Sequence, residues 1–558
     1  MLHYVALCEH PCRAQDLFTH WATHPAIAAL AQELATKWFG LLPGFHRFSL
    51  AHGQVVLTLC VGETLDLLRA QQFEADALEV RACQVKKADA SWFMKALVRC
   101  CHRGTVLTLH GVGAADVAAF QAVLPQNGFI IEPNDAPPGQ SVPTRLSGRF
   151  DPPWPLKNTR QGSVLVALPI ARCAVIGAGL AGASVAAALA RRGWQVTVLD
   201  QAGAPAAGAS GLPVGLVVPH VSSDDCALSR LSRAGVRLML QQAQELLKIN
   251  QDWAPSGVYE CQVGGTPKLP LAWSTAGEQW AESCQGQSDG QPEGPGILHR
   301  RGAWVKPAAL VNAWLALPGI TFEPHAEVVD MRCTDSVWQL LDGTGATLCC
   351  AERVVFANAG GAFHLLQKLQ HHVTDLSGLA QQLPSRQGMR GLLSWDFHQA
   401  PVDASFPPFP VNGAGSVVPR IPVDGGLAWF VGSSYQPESQ VERPDQDNHV
   451  NNLAHLAQLL PPLAQHLAPA FAADAIKTWR GTRCVTVDRL PAVGPLEATA
   501  QPSLWLCAGL GSRGLSFSVL CAELLAAKFG AEPLPVESKL AQSLNALRKP
   551  SGPFPTSR

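Results

Sequence analysis

The run Gly177-Ala178-Gly179-Leu180-Ala181-Gly182 stands between a short apolar segment, Cys173-Ala174-Val175-Ile176, and an alanine-rich stretch from Ala183 to Arg191. Asp200 closes the next apolar segment, Trp194 to Leu199. The apolar segments read as parallel strands and the alanine-rich stretch as a helix, so the glycines occupy the strand-to-helix turn of a βαβ unit. A turn of that kind holds a pyrophosphate. Gly177 permits the tight turn, Gly179 lets the backbone approach the phosphates at the helix N-terminus, and Gly182 allows close helix packing, while Asp200 can accept hydrogen bonds from ribose hydroxyls. This motif alone does not choose between NAD and FAD.

A second glycine-rich element bears on that choice. Trp505-Leu506-Cys507-Ala508-Gly509-Leu510-Gly511-Ser512-Arg513-Gly514 leads into an amphipathic stretch from Leu515 to Phe529, so a strand, a glycine loop and a helix return more than three hundred residues after the first unit. The pattern suggests one nucleotide domain interrupted by an inserted substrate domain, the organisation of FAD amine oxidases. Backbone N–H groups of Gly511, Ser512, Gly514 and Leu515, at the positive end of the late helix, suit the N1/O2 edge of a flavin, where negative charge collects on reduction. FAD is the expected cofactor.

Several separated stretches then resemble one family in order. They are Gly208-Ala209-Ser210-Gly211-Leu212-Pro213-Val214-Gly215-Leu216-Val217-Val218-Pro219 with Ser222 to Leu231, Phe356-Ala357-Asn358-Ala359-Gly360, Met389-Arg390-Gly391, Trp479-Arg480-Gly481-Thr482-Arg483, and Asp488 to Gly494. They are similar to the FAD domain of the MnmC family, bacterial bifunctional enzymes that complete 5-methylaminomethyl-2-thiouridine at the tRNA wobble position. The resemblance covers residues 170 to 545. It implies a mixed α/β and α+β fold of the D-amino-acid oxidase and glycine oxidase superfamily. A glutathione-reductase-type, Rossmann-like FAD domain (about 170–235, 350–365 and 480–530) would be interrupted by an antiparallel-sheet substrate domain. It also implies flavin contacts from Ala209, Ser210, Gly211 and Gly215, and places Asn358 to Gly360 near the adenosine half of the cofactor.

The implied reaction removes the carboxymethyl group of 5-carboxymethylaminomethyl-(2-thio)uridine in tRNA. Hydride leaves the carbon next to nitrogen for the flavin, and water hydrolyses the imine to the primary amine and glyoxylate. The substrate presents a carboxylate, for which the planar fork of arginine is suited. In related glycine-type oxidases an Arg at the position matching Arg483 holds that carboxylate, so Arg483 is the first candidate. Arg513, in the glycine loop, is the second, and no general base is assigned. An ion pair of Arg483 with Asp488 is the structural alternative. Leu212-Pro213, His220 after Pro219, and Ser416-Val417-Val418-Pro419 before Gly432-Ser433-Ser434-Tyr435 depart from the family pattern, and His220 could titrate near the flavin. Two other readings stay open: an oxidase of free amino acids or small secondary amines, and a noncatalytic tRNA-binding flavoprotein.

Residues 1–131 resemble part of the family's methyltransferase domain through His3 to Leu7, Glu9-His10-Pro11, Leu42 to Phe48 and Val55 to Leu59. The donor-binding glycine loop is not seen. Val80-Arg81-Ala82-Cys83-Gln84-Val85-Lys86-Lys87 stands where the family carries an acidic Asp-Gly-Phe-Ala-Pro segment, so a partial, inactive methyltransferase-like α/β domain is expected. Seven prolines between Pro133 and Pro155 mark 132–169 as an extended linker, 546–558 as a tail, and Gly277 to Gly296 as a surface loop.

The 558 residues suffice for several cores, and 15% are charged. With no long apolar run and no leader-like N-terminus, a cytoplasmic protein without membrane contact is expected. Sixteen cysteines without a CxxC pair read as buried free thiols, with no metal site. A net charge of −1 offers little general attraction for tRNA, so local patches would have to supply it. Candidates are Lys86-Lys87 with Arg99 and Arg103, Arg300-Arg301 near Lys306, and Arg480, Arg483 and Arg489.

Overall fold

The computed structural model describes residues 1–81, 90–111, 114–132, 145–156, 166–262, 269–285, 294–369, 379–399, 405–473 and 476–548. At its centre is a six-stranded sheet in the order Ile320–Glu323, Gln195–Leu199, Arg172–Ile176, Arg353–Phe356, Leu504–Ala508 and Ala492–Pro495. The first five strands run parallel, and the last is antiparallel to its neighbour. Their runs of Val, Leu, Ile and Ala are what a sheet covered on both faces requires. Val175, Val198, Val354, Val355, Phe356 and Trp505 have no solvent exposure. Helices Leu180–Ala190, Ala227–Leu246, Pro307–Leu315 and Gly514–Phe529 contribute to the core on one side. Trp338, Leu340, Phe363 and Leu366 build the core on the other. The two glycine elements, far apart in the chain, therefore follow strands of one sheet. Ile320–Glu323 joins it without having been foreseen, because four residues of alternating exposure carry too little pattern.

A larger sheet of nine strands holds the other wall of the site. Its order is Ala281–Cys284, Gly296–His299, Val258–Cys261, Val411–Asn412, Ser416–Val423, Gly426–Gly432, Arg386–Phe397 and Gln436–Pro437, with Lys477–Thr486 also paired to Arg386–Phe397. The pairing is antiparallel apart from Val258–Cys261 with Val411–Asn412. Helices Asp445–Leu459 and Pro461–Ala472 pack on it through Leu456, Leu459, Leu463 and Leu467. Ala281–Cys284 lies inside the stretch read as a surface loop. It pairs with Gly296–His299, and the buried Trp280 anchors its start. Its four residues were hidden between glycines.

The first 150 residues form two further sheets. Leu2–Cys8 is parallel to Val55–Val61, which pairs antiparallel with Gly44–Leu50. The other sheet has the order Ala75–Arg81, Cys101–His110, Leu146–Phe150 and Phe129–Ile131. Leu146–Phe150 corrects the reading of an unbroken extended linker: Leu146, Gly148 and Phe150 are buried, and the strand pairs on both edges, while the prolines flank it. Residues 82–87, including Lys86-Lys87, lie outside the described residues.

The first of these sheets is locked to the long helix Ala227–Leu246. Arg237, 2% exposed, donates to the carbonyls of Lys37 (3.1 Å), Phe39 (2.5 Å) and Gly40 (3.3 Å), and its guanidinium lies 4.5 Å from the Phe39 ring. Trp280 Nε1 donates to the Gly40 carbonyl at 2.8 Å, and Gln241 bonds both Arg47 O and Ser49 N. Buried arginine is tolerated here because its donors meet fixed carbonyls. Among the described residues no disulfide forms, although Cys12 and Cys333 are exposed rather than buried. No described helix is long and apolar enough to cross a membrane.

Candidate active site

Gly177 sits at φ +108°, and a Cβ there would lie 2.8 Å from the backbone of Asn358. This close approach brings the Asn358 loop against the glycine turn. A Cβ on Gly182 would overlap the Gly177 carbonyl oxygen, so the third glycine lets the helix begin directly behind the turn. Gly179 is the N-cap of Leu180–Ala190, and the Leu180 N–H donates to Ser210 Oγ at 2.9 Å. Ser210 thus caps the helix, a role its place in the resemblance did not reveal. Asp200 is drawn into the turn as well: its carboxylate accepts from Ala178 N at 2.7 Å and Ala202 N at 2.9 Å. A carboxylate has further lone pairs, so contact with ribose stays open.

A cavity of about 410 Å³ begins at this helix and reaches the large sheet. Its wall includes Leu180, Ala181, Ala209, Ser210, Gly215, Ala357 and Ala359, then the whole run Ala508 to Ser516, and across from them Leu393, Gly432, Ser433, Tyr435 and Arg483. Gly511, Ser512, Arg513, Gly514 and Leu515 are therefore on the wall as the second glycine motif required. Gly511 adopts φ +60°, and a Cβ on Gly514 would stand 3.3 Å from Leu180, so the two glycine elements pack side by side. Gly177, Gly179, Gly182 and Asp200 lie in the turn behind the wall. Gly211 shares the short helix Ala209–Gly211 but does not reach the cavity. One cavity joining two glycine elements at the N-termini of two helices fits an extended dinucleotide.

The ladder between Arg386–Phe397 and Lys477–Thr486 sets Arg483 opposite Met389. Its Nη1 donates to Tyr435 Oη at 3.0 Å and its Nη2 to Ser433 Oγ at 3.4 Å, with the guanidinium 5.2 Å from the Tyr435 ring. Asp488 instead pairs with Arg548 at 2.7 Å, which disposes of the alternative partner for Arg483. Burial raises the Tyr435 phenol, but the Arg483 charge, hydrogen bonds from Ser433 and Arg483, and the Arg513 charge outweigh it and bring its pKa below the ordinary value. Tyr435 and Ser433 were not singled out from the sequence; a Gly-Ser-Ser-Tyr run at the end of a buried strand was their only signal.

Arg513 also faces the cavity, and its guanidinium makes no hydrogen bond to another described residue. Burial and the nearby Arg489 charge lower its pKa. His220 lines the same wall, its pKa pulled down by burial and then by Arg513, so the imidazole is neutral near pH 7. Glu260 is on the wall too, hydrogen-bonded to His299 Nε2 at 2.8 Å. Among the described residues, no group of three or more His, Cys, Asp or Glu could hold a metal.

Three of the basic candidates for RNA contact form ion pairs within the chain. Arg103 pairs with Asp151, Arg300 with Glu282, and Arg480 with Asp445, while Arg301 stacks 4.1 Å over Phe39.

Comparison with known proteins agrees with this geometry. Residues 172–528 match the family model DAO, the FAD dependent oxidoreductases. The chain is 51% identical to the "tRNA 5-methylaminomethyl-2-thiouridine biosynthesis bifunctional protein MnmC" of Albidiferax ferrireducens, over 98% of this chain and 88% of that protein. It is 43% identical to the protein of the same name from Polaromonas naphthalenivorans, over 98% and 85%. A glycine oxidase from Geobacillus kaustophilus superposes with a TM-score of 0.53 at 19% identity, over 68% of this chain and 99% of that one, which establishes the fold. The chain belongs to the MnmC family, and its residues 172–528 form a FAD-dependent oxidoreductase with the glycine oxidase fold.

Proposed function

We propose that this protein oxidatively removes the carboxymethyl group from 5-carboxymethylaminomethyl-(2-thio)uridine at the wobble position of tRNA in the cytoplasm, leaving the 5-aminomethyl form. The observation that carries the reading is the single cavity running from the dinucleotide turn to Arg483. Bound FAD supplies the acceptor for hydride lost from the carbon next to nitrogen. The residues that would hold it are Gly177, Gly179, Gly182 and Asp200 at the turn, Ala209, Ser210 and Gly215 along the loop, with Gly211 shaping that loop from behind, and Gly511, Ser512, Gly514 and Leu515 at the late helix.

The chain's own part is to orient the substrate. Arg483 presents its fork to the carboxylate, and Tyr435 with Ser433 fixes that fork before substrate arrives, so little side-chain freedom is lost on binding. Arg513, whose guanidinium has no hydrogen bond among the described residues, is the second cation available to the same carboxylate. The cavity walls Leu393, Val418 and Phe430 keep the reacting carbon out of bulk water. Water then opens the imine to amine and glyoxylate.

The test is anaerobic mixing of the FAD-loaded protein with tRNA carrying the carboxymethylaminomethyl group. Bleaching of the flavin by this tRNA, and not by unmodified tRNA, is the expected result. Bleaching by free glycine or sarcosine at useful rates without RNA would replace the reading by that of a small-amine oxidase. Stable binding of tRNA with a flavin that never bleaches would mark a noncatalytic protein.

A further inference from the structure

The cavity has a negative pole that the reading of Arg483 leaves unused. Among the described residues Glu260 is the only carboxylate on its wall, where the other ionisable groups include Arg483, Arg513, His220 and Tyr435. It comes from the strand Val258–Cys261, in register with Asn412 on one side and Ile297 on the other. Its side chain is 31% exposed, toward a wall otherwise rich in glycine and aliphatic residues. One oxygen is held by His299 Nε2 at 2.8 Å, and Gln262 Nε2 reaches the other at 3.5 Å. His299 is fully buried and its Nδ1 has no partner, so a proton on Nε2, aimed at Glu260, is the arrangement that satisfies the pair. No arginine or lysine forms an ion pair with Glu260 among the described residues. The carboxylate is oriented by a buried imidazole and left facing the space where substrate would lie.

We infer that Glu260, positioned by His299, receives the substrate's amine nitrogen, while Arg483 holds the carboxylate one carbon away. The inference rests on the proposed reaction class and deepens it: the pocket takes an N-substituted glycine by both of its charges. In the redox step the C–H bond next to nitrogen breaks, its electron pair leaves with the hydrogen to FAD, and the nitrogen lone pair forms the C=N bond. The substrate is oxidised by two electrons and FAD is reduced by two. Positive charge accumulates on nitrogen as this happens, and a fixed carboxylate beside it lowers the energy of that charge more than that of the neutral amine. The hydrogen bond from His299 and the positive charge of Arg513 favour the ionised form of Glu260 against its burial. Arg513 in turn responds to both Glu260 and Tyr435, which places it within electrostatic reach of the two poles.

The test uses ligands with no hydrogen on the α-carbon, so the flavin stays oxidised. 2-Aminoisobutyrate and 2-hydroxyisobutyrate share one skeleton and one carboxylate and differ in ammonium against hydroxyl. Their dissociation constants are read from the visible absorbance of bound flavin in the full-length, FAD-loaded protein. The wild type should prefer the amino acid. Glu260→Gln should shift the preference toward the hydroxy acid by about tenfold, the size of one lost charge-assisted contact. Glu260→Asp should keep part of the preference, which separates charge from general disruption. An unchanged ratio in Glu260→Gln, or a wild type that binds neither ligand, overturns the inference. The expected ratio shift together with unaltered modified tRNA would leave Glu260 standing and remove the tRNA reading instead.

Discussion

Arg483 is held by Tyr435 Oη and Ser433 Oγ before any substrate is present, and among the described residues no carboxylate pairs with it. Arg483→Ala should therefore leave the substrate carboxylate unpaired and cost about 2 to 5 kcal/mol in kcat/KM, the range for truncating a buried charge pair. FAD content should stay near wild type. Arg483→Lys should recover only part of the loss, because an ammonium cannot match the fork. Flavin reduction by modified tRNA measures both, and an unchanged kcat/KM would move the carboxylate to Arg513. Gly179 gives the complementary case: its Cβ position is already 3.0 Å from Ser210 Oγ, so the branched side chain of Gly179→Val crowds both that cap and the phosphate approach. The expected outcome is a folded protein that is purified colourless, and a yellow Gly179→Val protein with wild-type FAD content would contradict it. The glycines were legible from sequence because each answers a local backbone demand. Tyr435 and Glu260 were not, because ladder register and chain crossing bring them to the cavity, with His299 buried behind Glu260, and neither leaves a mark in nearby residues.

At the scale of elements, the late helix Gly514–Phe529 is fastened to its surroundings by a buried ionic network. Arg192 binds Glu523 at 3.0 Å and Glu532 at 2.8 Å, Arg47 reaches Glu523 and the Pro533 carbonyl, and His3 lies 3.4 Å from Glu532. Burial alone would raise the Glu532 pKa, but the His3 hydrogen bond and the charge and hydrogen bond of Arg192 bring it from 4.5 to about 2. A folded-state pKa below the unfolded one means stability that is present above pH 4.5 and lost as pH falls toward 2. At pH 7 this amounts to ~3 kcal/mol. Glu532→Gln should be destabilised by about that order in urea at pH 7, and the gap to wild type should shrink by pH 3; a gap independent of pH would show that charge is not its source. The same network reaches into the first 50 residues through His3 and Arg47, so this layer braces the helix whose N-terminus lies at the cavity. That brace could not be read from a sequence in which Arg47 and Glu523 are 476 positions apart. What was legible was the periodicity: the strands around the first glycine turn and the late helix stand where their apolar patterns put them. The edge strands Ile320–Glu323 and Ala281–Cys284 and the interior strand Leu146–Phe150 were missed because each is five residues or shorter and bordered by turn-forming residues.

For the whole molecule, a net charge of −1 gives tRNA little general attraction, and Arg103, Arg300 and Arg480 each pair with a carboxylate of the chain. On the proposed reading, recognition rests on the modified base itself entering the cavity, with its carboxylate at Arg483 and its amine at Glu260. The most direct measurement is nucleoside analysis of tRNA carrying the carboxymethylaminomethyl group, after stoichiometric anaerobic incubation with the FAD-loaded protein. The account predicts conversion of that nucleoside to the 5-aminomethyl form, glyoxylate in equal amount, and a bleached flavin. An unchanged nucleoside beside an oxidised flavin would contradict it.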